Sequence, residues 1–264
     1  MTLKFSKYHG NGNDFIIIDN RVNIFPKEEH TLIRTLCDRN FGIGADGLML
    51  LEEQAGYDFR MIYYNSDGHE GSMCGNGGRC LVKFAKTIGV IADSAIFAGI
   101  DGIHEATIDN SGFIRLKMQD VDKTERDGDA WIIDTGSPHY VIFTDDIEAV
   151  NVVGKGRQIR YGEQYKQKGI NVNFVEKTGK SIRIRTYERG VENETLSCGT
   201  GSVAAALAYG YGNNSREGSV TVETRGGPLE VSYKRTGKSS FSEIWLNGPA
   251  THVFDGTVNR KVFD

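Results

Sequence analysis

EGSMCGNGGR (residues 70–79) and ETLSCGTGSV (residues 194–203) carry one pattern: Glu, three residues, Cys, Gly, any residue, Gly. Each copy runs into an apolar stretch, CLVKFA in the first and VAAALAY in the second. A long and specific pattern written twice points to internal duplication, with each half presenting one cysteine at the start of a helix. The reading of the whole chain follows from that.

Around the first copy, residues 3–8 and 14–19 read as strands split by the turn HGNGN. Residues 28–39 read as a helix with Leu32, Ile33, Leu36 and Cys37 on one face, and 48–52 and 58–64 as strands. Residues 76–88 read as a helix whose apolar stripe is Cys80, Leu81, Phe84, Ala85 and Ile88. Cys80 lies roughly 240° around that helix from Cys74, so it packs rather than sharing the Cys74 face. Short strands follow at 96–98, 104–109, 113–118 and 130–134.

Around the second copy the order repeats. Strands fall near 139–143, 172–176 and 182–187, a helix at 200–209, and strands at 219–224, 228–234 and 241–247. SVAAALAY is apolar nearly all round, which predicts a helix buried on every side. The expected fold is α+β, with two similar domains, each a mixed barrel-like sheet around a central helix. The polar stretch QDVDKTERDGD places the boundary near 118–122. The expected domains are 1–118, joined by the C-terminal segment 250–264, and 119–249.

The chain has 264 residues, 39% hydrophobic and 25% charged, which is globular composition. Its 31 basic and 35 acidic residues form no block of one sign, so neither nucleic acid nor an anionic membrane is an expected partner. No apolar run approaches the roughly 18 residues of a membrane span. The N-terminal MTLKFSKYHGNGND has no secretory h-region, so a cytoplasmic location is expected. In that compartment Cys37, Cys74, Cys80 and Cys198 should be free thiols. Their spacing, with no histidine cluster nearby, argues against a metal site.

A cysteine at a helix start sits where unpaired backbone N–H groups and the helix dipole favour negative charge. Such a position lowers a thiol pKa from about 8.5 toward neutrality. The same N–H groups can hold a carboxylate, and the adjacent glycine lets a ligand approach the backbone. Taken singly, either cysteine reads equally well as packing. Together, the two matched motifs read as acid–base chemistry on opposite faces of one small acid: a thiolate removes a proton, a thiol donates one, and a carbon is inverted. Glu70 and Glu194 read as braces that accept backbone N–H bonds in the turns before each helix.

With HGNGNDF, NSDGHEGSMCGNGGRC, GINVNF, TYERG, SCGTGS and GPATHVFDG in order, the chain closely resembles the diaminopimelate epimerase family over nearly its whole length. The resemblance implies two like domains and interconversion of LL- and meso-2,6-diaminopimelate, a step of lysine and peptidoglycan precursor synthesis. It implies no pyridoxal phosphate and no metal, and it implies a homodimer. It makes Cys74 and Cys198 the catalytic thiols. Gly75, Asn76, Gly199 and Thr200 become the donor positions after them, and Asn13, Asn65, Asn171, Glu188 and Arg189 the substrate-binding side chains. His139 and Glu188 would tune the thiols. A zwitterionic substrate needs this kind of set: Arg and backbone N–H for carboxylates, Asn and Glu for ammonium groups. Arg189 and Glu188 would point to opposite faces of one strand unless a turn intervenes, and Gly190 allows one. Ser137 stands where the family usually has Asn, keeping a hydrogen-bonding side chain of shorter reach.

Three other functions fit parts of the pattern. A proline or hydroxyproline racemase of the same architecture would more typically carry His where Asn76 stands. A thiol redox protein would pair Cys74 with Cys198, but no C-x-x-C occurs and GINVNF and YERG would go unexplained. A non-catalytic binder of this fold would have lost one of the two cysteines.

Overall fold

The computed structural model describes residues 2–71 and 73–259. Ser72 of the first motif, and residues 260–264 of the C-terminal segment, lie outside the described residues. The chain divides into two compact units: residues 1–116 with 249–264, and residues 117–248.

The first unit opens with β1 (Thr2–Gly10) and β2 (Asn13–Asp19), a hairpin closed by Asn11 and Gly12. Both turn residues have positive φ, 53° and 82°. A two-residue type I′ turn requires this, and Asn-Gly supplies it at least steric cost. Next come α1 (His30–Cys37), β3 (Gly47–Glu52), β4 (Phe59–Asn65), α2 (Gly75–Thr87), β5 (Ser94–Gly99), β6 (Gly102–Ile108) and β7 (Phe113–Lys117). Pairing runs β1–β2 antiparallel, β2–β3 parallel, β3–β4 antiparallel, β4–β5 parallel, then β5–β6 and β6–β7 antiparallel.

The second unit contains β8 (Thr124–Asp127), β9 (Ala130–Asp134), β10 (Pro138–Phe143), α3 (Val152–Arg160), β11 (Asn171–Thr178), β12 (Ser181–Glu188), β13 (Asn193–Thr195), α4 (Gly199–Gly212), β14 (Glu217–Thr224), β15 (Gly227–Arg235) and β16 (Phe241–Pro249). Pairing runs β9–β10 antiparallel, β10–β11 parallel, β11–β12 antiparallel, β12–β14 parallel, then β14–β15 and β15–β16 antiparallel. That is the sequence of pairings found in the first unit. The helices match too: α1 and α3 occupy the first parallel crossover, α2 and α4 the second. The duplication is therefore one of topology as well as motif, and each unit is a mixed α+β sheet curled around one helix.

Burial explains the strand composition. In the first unit Ile16, Ile18, Leu48 and Leu50 pack with Leu32, Ile33 and Leu36 of α1. The alternate residues Phe15 and Met49 stand against Gly77 of α2. Strands covered on both faces read as unbroken apolar runs, here FIII and LMLL. In the second unit α4 is lined all round by β9, β10, β11, β12, β14 and β15. Val203 to Ala208 are all fully buried, so the apolar-all-round helix is buried as its sequence demands.

Several elements differ from the sequence reading. α3 fell in a stretch with no helical reading, because its two glycines and sparse apolar residues give a weak signal; tertiary packing on β11 and β12 holds it. β8 lies within the polar QDVDKTERDGD stretch, and β13 is three residues long. β17 (Thr251–Asn259) pairs antiparallel with β1. Ile88 is the C-cap of α2 and half-buried, not part of its buried stripe.

Candidate active site

Cys74 is the N-cap of α2 and Cys198 the N-cap of α4. Their backbones match: φ −105° and ψ 118° at Cys74, φ −120° and ψ 113° at Cys198. Each carbonyl accepts the first helical N–H, from Gly78 at 2.7 Å and from Ser202 at 2.9 Å. Gly75, Asn76 and Gly77, like Gly199, Thr200 and Gly201, thus occupy the first turn, where N–H groups have no acceptor inside the helix. All four cysteines are free thiols, and Cys74 is the most exposed of them. Among the described residues no cluster of three or more His, Cys, Asp or Glu side chains could hold a metal.

In the first unit Cys74 Sγ lies 3.6 Å from Asn13 Oδ1. Asn13 Nδ2 donates to the Asp46 carboxylate at 2.7 Å, which fixes the amide with its oxygen toward Cys74. Asp46 is held in turn by Arg39 at 2.7 Å. Asn76 is buried; its Nδ2 donates to Asn13 Oδ1 at 3.4 Å, and its Oδ1 accepts from Arg79 at 2.9 Å. The Arg79 guanidinium is fully buried and also donates to Asn11 Oδ1 at 2.9 Å and the Gly75 carbonyl at 3.2 Å. It joins the β1–β2 turn to the helix start. Burial pushes its pKa down, to about 10, leaving it cationic at neutral pH. Asn65 is exposed at the end of β4, in the N-S-D-G turn closed by Gly68 N–H to the Asn65 carbonyl at 2.9 Å.

In the second unit Cys198 Sγ lies 3.5 Å from Thr200 Oγ1. The Thr200 carbonyl accepts from Thr135 Oγ1 at 3.0 Å, which ties the corner before β10 to the helix start. His139 is fully buried and bonded through Nδ1 to Asn173 Nδ2 at 3.0 Å. Burial, with the Arg189 charge, pushes its pKa down to about 3. β12 ends at Glu188, half-buried, and the chain turns at once, with Gly190 at φ +93°. Arg189 is therefore in the turn and exposed, free of the strand alternation that would oppose it to Glu188. Its N–H donates to Asn171 Oδ1 at 2.8 Å and its guanidinium to the Lys168 carbonyl at 2.9 Å. Asn171 Nδ2 donates to Ser137 Oγ at 2.9 Å, and Arg189 reaches the same oxygen at 3.4 Å. The shorter side chain at Ser137 thus organises Asn171 and Arg189.

The structure gives Glu194 a different role from the expected one. It does not brace the turn through backbone N–H groups; it binds Arg185 through both oxygens at 2.7 Å and meets Arg225 at 3.3 Å. Two arginines outcompete neutral amides for a carboxylate. Glu70 is exposed, and it is its backbone that bridges to Tyr64. Sequence reading missed Asp46, Arg79 and Asn173, which hold Asn13, Asn76 and His139.

The fold of two topologically equal units is shared by solved structures of other proteins. A phenazine biosynthesis protein of the PhzF family from Bacillus anthracis aligns with TM-score 0.73 at 15% identity, covering 98% of this chain and 99% of that one. A hydroxyproline epimerase from Agrobacterium vitis, solved with bound trans-4-OH-L-proline, aligns with TM-score 0.72 at 14% identity, over 97% and 92%. These likenesses concern the fold. In sequence, the chain belongs to the diaminopimelate epimerase family, whose model matches residues 5–124 and 131–253. A diaminopimelate epimerase of Flavobacterium psychrophilum is 49% identical over 97% of this chain and 100% of its own length. One of Chlorobaculum tepidum is 42% identical over 94% and 98%. The chain is an isomerase of the epimerase type. Among the described residues no helix is long and apolar enough to cross a membrane.

Proposed function

We propose that this chain interconverts LL- and meso-2,6-diaminopimelate by two-base proton transfer between Cys74 and Cys198. The observation that carries the reading is the equivalence of the two helix starts: same motif, same cap geometry, same place in a duplicated topology. One thiolate takes the α-proton from one face of the substrate carbon, and the other thiol gives its proton to the opposite face. Atoms and electrons balance, since one proton leaves, one arrives and the configuration inverts. The first-turn N–H groups of α2 and α4 and the Arg189 guanidinium suit substrate carboxylates. The Asn13, Asn65, Asn171 and Glu188 oxygens suit its ammonium groups, while Asn76, whose amide oxygen is held by Arg79, serves as a donor position. His139 and Glu188 act on the thiols' environment. The two thiols supply both acid and base, so the reaction needs neither pyridoxal phosphate nor metal. On the family resemblance we also propose a cytoplasmic homodimer, which sedimentation would test.

The test is exchange of the substrate α-proton in deuterated water with purified protein, alongside Cys74→Ala and Cys198→Ala. Wild-type protein should exchange and epimerise, and each variant should lose epimerisation by at least about 100-fold. Near-normal turnover in either variant would defeat the two-base assignment. Turnover abolished by a chelator and restored by one metal would defeat the metal-free reading.

A further inference from the structure

On the inner face of the second unit, three strands exchange apolar residues for polar ones as they approach Cys198. Val141, Val175 and Ile184 belong to the core around α4. Two positions along their strands toward Cys198, the same face carries His139 on β10, Asn173 on β11 and Thr186 on β12, all buried. Asn173 crosses the first turn of α4 so closely that a Cβ at Gly201 would lie 2.5 Å from Asn173 Oδ1 and 3.3 Å from Cys198 Sγ.

The hydrogen bonds of Asn173 leave one arrangement. Its amide nitrogen lies 3.2 Å from the Tyr140 carbonyl oxygen and 3.0 Å from His139 Nδ1. Its amide oxygen accepts from Thr186 Oγ1 at 2.9 Å. A carbonyl only accepts, so the end facing Tyr140 must be the NH2 group. An NH2 group only donates, so His139 Nδ1 must accept and the ring proton sits on Nε2. Nε2 is buried and has no hydrogen-bond partner among the described residues. A buried N–H left unmatched is costly, and it is satisfied when a ligand brings an acceptor. Protonating Nδ1 would set an N–H against the amide hydrogens. Burial and the nearby Arg189 charge oppose the imidazolium as well.

We infer that Asn173 is a positioning residue that locks His139 as the neutral Nε2–H tautomer, so that His139 serves the site as a hydrogen-bond donor and not as a proton-accepting base. A ring whose Nδ1 is committed to Asn173 can take no proton at Nε2. It can only offer one hydrogen bond, to a thiolate, a carboxylate or another lone pair. The tautomer follows from the hydrogen bonds alone; its consequence for turnover rests on the function proposed above.

Nitrogen NMR of the full-length protein with 15N-labelled histidine tests this, with His139→Gln to assign the ring. The wild-type ring should show a protonated Nε2 and an unprotonated Nδ1, unchanged between about pH 6 and about pH 9. Asn173→Asp places a carboxylate, which only accepts, against Nδ1. It should move the proton to Nδ1, bring ring titration into that pH range, and lower kcat by roughly 10–100-fold, the loss typical when the partner orienting a functional imidazole is removed. A wild-type ring protonated at Nδ1, or titrating in that range, would overturn the lock whether or not the variant folds. A switched tautomer with unchanged kcat would overturn the donor role. Absence of α-proton exchange in wild-type protein would instead defeat the functional reading and leave the tautomer result standing.

Discussion

The four cysteines separate into two that cap α2 and α4, Cys74 and the buried Cys198, and two that do not. Cys37 and Cys80 are 3% and 0% exposed within apolar packing. Burial pushes the Cys37 thiol up to about 12 and the Cys80 thiol higher still, so neither supplies a thiolate near neutral pH. Cys37→Ala and Cys80→Ala should keep full turnover at a stability cost of about 1 kcal/mol each. Native alkylation followed by peptide mapping should leave both unlabelled; rapid labelling of Cys80 in active protein would contradict its burial. Spacing alone separated the two helix-cap cysteines from the other two, because helix position is legible from spacing. The residues that orient the site side chains were less legible. Asn171 and Asn173 share a face by strand alternation, but the partner of Asn173 is His139 on the neighbouring parallel strand, and register across a parallel crossover is not written locally. Asp46, which orients Asn13, is likewise brought in by the β2–β3 pairing.

Among the elements, α4 was the most legible and α3 the least. SVAAALAY is apolar or small nearly all round and can only be buried, whereas VVGKGRQIR carries little helical signal outside its packing. The glycines of α4 show how position decides a glycine's role. At Gly201 a Cβ would meet the Asn173 oxygen at 2.5 Å, while at Gly212 nothing lies within 4 Å. Gly201→Ala should therefore push Asn173 off His139 and Thr186, lowering both kcat and the melting temperature. Gly212→Ala should raise stability by about 0.5 kcal/mol through helix propensity and leave turnover unchanged. Thermal melts and initial rates of the two variants check this, and equal behaviour would show that the α4 start tolerates the displacement.

At the scale of the whole molecule, duplication was legible from four matched positions in an eight-residue span because the repeat of a cap motif implies the repeat of the unit it caps. What the motif did not carry was the order of parallel and antiparallel pairings, which only the structure shows to be repeated. Each unit also places a carboxylate among cations: Asp14 between Lys7 and Arg39, and Glu194 between Arg185 and Arg225. Burial alone would raise the Asp14 pKa, but hydrogen bonds from Arg39 and Lys7 outweigh it and hold the carboxyl down, from the ordinary 3.8 to about 2. Glu194 is lowered chiefly by the hydrogen bonds it accepts from Arg185. A pKa lower in the folded state means the unfolded chain binds the proton more readily. The stabilisation is then complete above the ordinary value and is lost as pH falls through the folded one. For Asp14 this window runs from 3.8 down to about 2. Asp14→Asn should cost on the order of 1–2 kcal/mol at neutral pH, after allowing for the exposure of Arg39. The wild-type melting temperature should fall more steeply than that of the variant between these pH values, and the two curves should converge near the lower one. Parallel curves across the whole range would mean that Asp14 keeps an ordinary pKa in the folded protein, and that Lys7 and Arg39 do not hold its charge.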